Sequence, residues 1–170
     1  MQGKMSGWIL VLVSLVWMTG CGYTTRELYP AQYTTVAVPN FENRTFDREI
    51  EFEIREALIK EIEQRTPYKV VRTPGAADTL LEGTLVDVQR SSISRQQGTG
   101  LPQEVEVTLV VNFVWRDLRS GEDLKGFQGF AASGQYVPVG GVGEFDATAK
   151  NRAVQRLATD MVSTMREDGW

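Results

Sequence analysis

Histidine is absent from this chain of 170 residues, and cysteine occurs once, at Cys21. Without an imidazole, neither a Ser-His-Asp nor a Cys-His nucleophile pair can be assembled. Histidine metal sites are excluded as well, and one thiolate cannot build a zinc cage, so no metal and no other cofactor is expected. No intramolecular disulfide can form, so in an oxidising compartment stability must come from the core. Basic residues are in short supply: 18 Lys and Arg against 22 Asp and Glu leave a net charge of −4. That is the wrong sign for a nucleic-acid footprint, and no nucleic-acid partner is expected. What is present is an ordinary globular mixture, 42% hydrophobic and 24% charged. It has the length of one domain and can bury a core.

The first twenty residues carry one charge, Lys4, followed by an uncharged run from Trp8 to Met18. The run has the length of a signal-peptide h-region and is too short to cross a bilayer core of roughly 30 Å as a helix. It ends in Met18-Thr19-Gly20-Cys21, which resembles the bacterial lipobox with Met18 where Leu is usual. The resemblance implies cleavage before Cys21, with acylation of its sulfur and of the new amino terminus. The alternative is an uncleaved anchor or a secretory signal beside a fortuitous cysteine. One acyl chain holds a membrane only marginally, at about 0.8 kcal/mol per buried CH2, whereas several make attachment effectively permanent. In lipoprotein sorting an Asp after the cysteine favours the inner membrane; Gly22 stands there, which points to the cell outer membrane. The expected organisation is a lipoprotein signal peptide over 1–20, a lipidated tether over 21–33, and one domain over 34–170. A dozen extended residues reach about 40 Å at most, so the domain stays near its membrane.

The mature chain reads as alternating strands and helices. "TTVAVPNF" (34–41) is a β-rich run with Pro39 at its exit. Residues 47–65 are helical: Ile50, Ile54, Ala57, Leu58 and Ile62 form one apolar stripe. Thr45 or Asp47 is expected to cap this helix, and Pro67 ends it. "YKVVR" (68–72) is a strand. Residues 79–95 form another that turns polar from Gln89 onward and is expected to leave the core. In 104–117, Val105, Val107, Leu109, Val111, Phe113 and Trp115 alternate with mostly polar residues, the pattern of a half-buried antiparallel strand. A glycine-rich strand follows over 124–136. "VPVGGVGE" (137–144) is expected to be a loop, without the spacing of a phosphate-binding turn. A last helix over 145–166 carries its stripe on Val154, Leu157, Ala158, Met161 and Met165. The expected fold is α+β: a mixed β-sheet of about four to five strands with two α-helices packed on one face.

Within this frame, Val36, Val38, Pro39, Phe41, Asn43, Thr45, Glu51, Ala57 and Leu58, then Ala77, Asp78, Leu81 and Gly83, carry a pattern that resembles the LPS-assembly lipoprotein family LptE. The resemblance covers nearly the whole mature chain and is strongest from Thr34 to Thr84. It implies an α+β domain anchored by acyl chains on the periplasmic side of the outer membrane. It further implies a tight complex with a large β-barrel of the LptD type, whose lumen the domain plugs. That barrel is the lipopolysaccharide translocon, and the lipoprotein aids insertion into the outer leaflet and contacts lipopolysaccharide itself. No enzymatic chemistry is implied. Curli-secretion and TolB-like families share a similar strand, turn and helix, so the alternative is a lipid-anchored periplasmic subunit of an oligomeric secretion pore.

Individual residues then fall into place. Cys21 is the lipid attachment point. Asn43, Thr45 and Asp78 are polar residues at turns and are expected to bond the backbone. Arg90 and Arg95 are candidates for lipid A phosphates, because guanidinium binds phosphate bidentately; a solvated hairpin end is the competing reading. Leu101 and Pro102, in the uncharged tip "QQGTGLPQ" (96–103), are candidates for partner contact, with a plain exposed tip as the alternative. The glutamates of the first helix, interleaved with Arg48, Arg55, Lys60 and Arg65, read as a solvated face and not as catalytic carboxylates.

Overall fold

A computed structural model describes residues 29–95, 102–136 and 142–166. The expected signal peptide, Cys21, most of the expected tether and Leu101 lie outside the described residues. The elements are β1 (Thr35–Ala37), β2 (Glu42–Asn43), α1 (Ile50–Arg65), β3 (Lys69–Val71), a single 3-10 turn (Pro74–Ala76), β4 (Thr79–Arg95), β5 (Pro102–Asp117), β6 (Asp123–Tyr136) and α2 (Val142–Ser163). They form one six-stranded mixed sheet in the order β3-β1-β4-β5-β6, with β2 also beside β4. β1 runs parallel to β3 and β4, while β4, β5 and β6 are antiparallel. The parallel pairing of β1 with β3 is possible because α1 supplies the crossover.

Both helices cover one face of this sheet and share one core. Every residue of the expected α1 stripe is buried, as are Val154, Leu157, Ala158, Met161 and Met165 of α2. From β5, Val107, Leu109, Val111, Phe113 and Trp115 meet them. Burying side chains of this size contributes about 1.5–3 kcal/mol each. α2 lies so close to β6 that a Cβ on Gly134 would collide with the Ala149 carbonyl oxygen and stand 2.8 Å from the Ala153 nitrogen. Small residues at Gly134, Ala149 and Ala153 are what permit that approach. The α+β class and the one-face arrangement agree with the sequence reading.

Two local expectations are corrected. The first helix begins at Ile50, not at residue 47, and neither Thr45 nor Asp47 caps it: Glu49 occupies the cap position at φ 72 without a side-chain bond. Thr45 and Asp47 are engaged in the preceding turn instead. The last helix starts at Val142, so residues 142–144 of the expected loop are helical. As expected, β4 leaves the core where it turns polar, with Gln89, Arg90, Ser91 and Ile93 exposed, while its backbone stays paired with β5 as far as Arg95↔Pro102.

That last pairing contains the feature that sets the face of every residue beyond it. A register shift between Leu85 and Asp87 leaves Val86 as the extra residue of a β-bulge. Before the bulge the odd-numbered residues of β4 face the helices: Leu81 opposes Trp115 and Leu85 opposes Val111. After it the even-numbered ones do: Val88 opposes Leu109 and Arg90 opposes Val107. Directly opposed residues share a face, so Arg90 stands on the helix-covered side.

Candidate functional site

The domain has two chemically distinct ends. At the end where the described chain begins, Tyr29 packs edge-on against Tyr68 with ring centroids 5.8 Å apart, and Tyr33 packs against Trp115 at 6.1 Å. The Tyr33 hydroxyl donates to Asp117 at 3.3 Å. Burial, and then the Asp117 carboxylate, push its pKa above the ordinary tyrosine value. Tyr29 and Tyr33 are thus bound to the domain at this proximal end.

Asp78 organises the same end. Its Oδ2 accepts the backbone N–H groups of Thr34 and Thr35 at 2.9 and 3.0 Å and both their hydroxyls at 2.9 and 3.0 Å. Its other oxygen pairs with Arg119 from the β5–β6 turn. The Thr34 amide and hydroxyl, followed by Arg119 and Thr35, hold the carboxyl far below the usual carboxylate range. One side chain therefore ties the entry of β1, the start of β4 and the β5–β6 turn together. Asn43 does the same for the turn before α1. Its Oδ1 accepts from the Thr45 amide and hydroxyl, both at 2.8 Å, and its Nδ2 donates to the Asp47 carbonyl at 2.6 Å and to Glu51 at 2.8 Å. Phe41 buries its ring over Gly83, where a Cβ would collide with it and stand 2.7 Å from the Asn112 carbonyl oxygen. The motif residues Phe41, Asn43, Thr45, Asp78 and Gly83 are thus explained by contacts within the fold, as expected for the three polar ones.

At the opposite, distal end the turn before α1 and the N-terminal part of α2 meet β4. Arg90 donates to Asp47 at 2.9 Å and to Asp146 at 3.1 Å, and Lys150 pairs with the same two carboxylates. The four charges sum to zero. Burial pushes both carboxyls upward, but the hydrogen bonds from Arg90 and Lys150 prevail and leave them below the ordinary value. The hydrogen bonds that Arg90 donates to Asp146 and then to Asp47 raise its pKa. The sequence reading found Arg90 but missed Asp47, Asp146 and Lys150 as its partners. The visible signal was the phase change in Leu85-Val86-Asp87-Val88, which betrays the bulge. Arg95 and Pro102 close the β4–β5 pairing as directly opposed residues.

Of the α1 glutamates, Glu53, Glu56 and Glu63 are exposed, as expected; Glu51 is half-buried, and Glu61 is 8% exposed and paired with Arg65. Among the described residues no group of three or more Cys, Asp or Glu side chains is placed to hold a metal ion. No described helix is long and apolar enough to cross a membrane.

Solved structures with this fold include the PelC dodecamer from Paraburkholderia phytofirmans, 15% identical with a TM-score of 0.54, the match covering 81% of this chain and 94% of that one. Lipoprotein B from Nitrosomonas europaea is 16% identical with a TM-score of 0.51, over 85% and 87%. A minor lipoprotein from Acinetobacter baumannii is 15% identical with a TM-score of 0.51, over 80% and 92%. At such identities these likenesses speak for the fold alone. No curated protein matches the sequence. The family model LptE, described as lipopolysaccharide-assembly, matches residues 33–165, from the tyrosine that seats the tether to the last buried methionine of α2. On that match, the chain belongs to the LptE family of lipopolysaccharide-assembly proteins.

Proposed function

We propose that the chain is an outer-membrane lipoprotein, anchored through acylated Cys21, that joins a lipopolysaccharide-transport β-barrel of the LptD type. It plugs the lumen and aids insertion of lipopolysaccharide into the outer leaflet. The observation that carries this reading is the family match over residues 33–165, in a chain whose Cys21 follows a charge-free apolar run. The tether supports it: eight residues from Cys21 to Tyr29 span about 28 Å at most, which holds the domain against its membrane. Its work is binding, not catalysis. Arg95 and the tip residues Leu101 and Pro102 are the candidate contacts for lipopolysaccharide phosphates and for the barrel. Arg90 is a candidate as well, but a phosphate must first displace Asp47 and Asp146 from it.

Crosslinked capture of the intact lipoprotein from membranes tests the proposal. Recovery of a large outer-membrane barrel in equal proportion is expected, and recovery without any such barrel overturns it. In the same preparations Arg95→Glu should lower bound lipopolysaccharide; unchanged binding removes Arg95 from the site.

A further inference from the structure

β6 stands last in the sheet order, so among the described residues one of its two edges has no neighbouring strand. Its only charges, Asp123 and Lys125, lie at its start, and residues 126–136 carry none. A long uncharged edge is a template for another strand, because its row of N–H and C=O groups is open and no side chain of the strand repels a newcomer. A second copy of this chain presents the same edge. Two such edges set antiparallel about a two-fold axis offer each other matching rows of donors and acceptors.

α2 stands across that edge. The Arg152 guanidinium donates to the Gln135 carbonyl at 2.8 Å, and the Arg156 guanidinium donates to the Ser133 carbonyl at 3.4 Å. Carbonyls two residues apart on a strand point to the same edge. Two residues of strand rise about 6.7 Å and four residues of helix about 6 Å, so the arginine spacing matches the carbonyl spacing. The helix comes near enough because position 134 is glycine: a Cβ there would stand 2.9 Å from that of Arg152. Asp160, four residues beyond Arg156, has the spacing of a helical salt bridge, yet the Arg156 guanidinium turns to the strand. Further along β6, an extra residue between Phe127 and Phe130 and the φ of 65 at Gly129 break the extended run. An incoming strand cannot hold its register past such a bulge.

We infer that Arg152 and Arg156 hold the free edge of β6 closed, and that the partner they shut out is a second copy of this chain, pairing antiparallel through residues 130–136. The inference does not rest on the function proposed above. A two-fold axis at Ser133 sets Gln135 of each copy opposite Ala131 of the other. The carbonyls such a pairing needs are the two that the guanidinium groups occupy.

The test places a photo-crosslinking residue at the exposed position 131 of the full chain, irradiated in its membrane, with Arg152 and Arg156 present or replaced in the double variant Arg152→Ala/Arg156→Ala. Alanine is a strong helix former, so α2 is expected to stand. Light scattering on the detergent-solubilised chain, without the crosslinking residue, reads the mass. The chain with both arginines should give no dimer adduct; the double variant should give one, and its mass should double. Adding Gln135→Pro removes an edge amide and should return the double variant to the monomer mass. A raised mass that persists in this triple variant means association through another surface and overturns the inference. A double variant that stays monomeric overturns it, as does a chain with both arginines that already crosslinks at 131 to a second copy or to another protein.

Discussion

The carboxylate of Asp78 joins three separate segments, the β1 entry, the start of β4 and the β5–β6 turn. It accepts two backbone amides and two hydroxyls from Thr34 and Thr35 and pairs with Arg119. Hydrogen bonds to an ionised acceptor are stronger than neutral ones. Asp78→Ala leaves the Thr35 amide without its acceptor in a partly buried place and should destabilise by about 1–3 kcal/mol in urea denaturation. Asp78→Asn keeps one acceptor oxygen and should lose less. Equal losses for the two variants would mean that the charge, and not the acceptor geometry, is what holds the β1 entry.

At the scale of the element, β4 is two half-strands of opposite phase joined at Val86. The proximal half presents Leu81 and Leu85 to the core, and the distal half turns Val88 and the exposed Arg90 to the helix-covered face. Deleting Val86 restores strict alternation. With the proximal half in place, Val88 and Arg90 then turn to the solvent face and Asp87 and Gln89 turn inward, because a one-residue slip moves every later side chain across the sheet. The expected result is a loss of at least about 3 kcal/mol, the scale of a disrupted core site, read as a drop in the denaturation midpoint. A deletion variant of unchanged stability would show that the bulge is not what places Arg90 on the helix-covered face.

For the whole molecule, the linked charges set how stability depends on pH. Asp47, Asp78 and Asp146 all titrate below the ordinary carboxylate value in the folded state. As pH falls, the unfolded chain takes up protons first, at about pH 4, so the stability these groups contribute is present above that pH and is lost below it. Lys150 and Arg90 are shifted upward, so their contribution persists through neutral pH and fades only in strong alkali. Melting temperature should therefore be flat from about pH 6 to 9 and fall steeply below about pH 4. A melting temperature that rises on acidification through that range would contradict this network. The absence of histidine agrees with a flat middle, since no ordinary side chain then titrates between about pH 5 and 8.

The sequence by itself determined what periodicity and local sterics can encode. Both helix stripes, the alternation of β5 and the α+β class follow from side chains that must leave water at a period of 3.6 or 2. The motif turn was legible too, since Asn43, Thr45 and Asp78 bond backbone close at hand or across one strand pairing. Only the tertiary structure decided where the charged residues went. Arg90 reads in sequence as a phosphate candidate or a solvated hairpin arginine; the bulge turned it to the helix-covered face and the convergence of three elements gave it Asp47, 43 residues away, and Asp146, 56 away. Asp47 reads as a helix cap, yet the same convergence took it for Arg90 and Lys150 and moved the helix start to Ile50. Packing brings distant residues together, and no local pattern records which of them will meet.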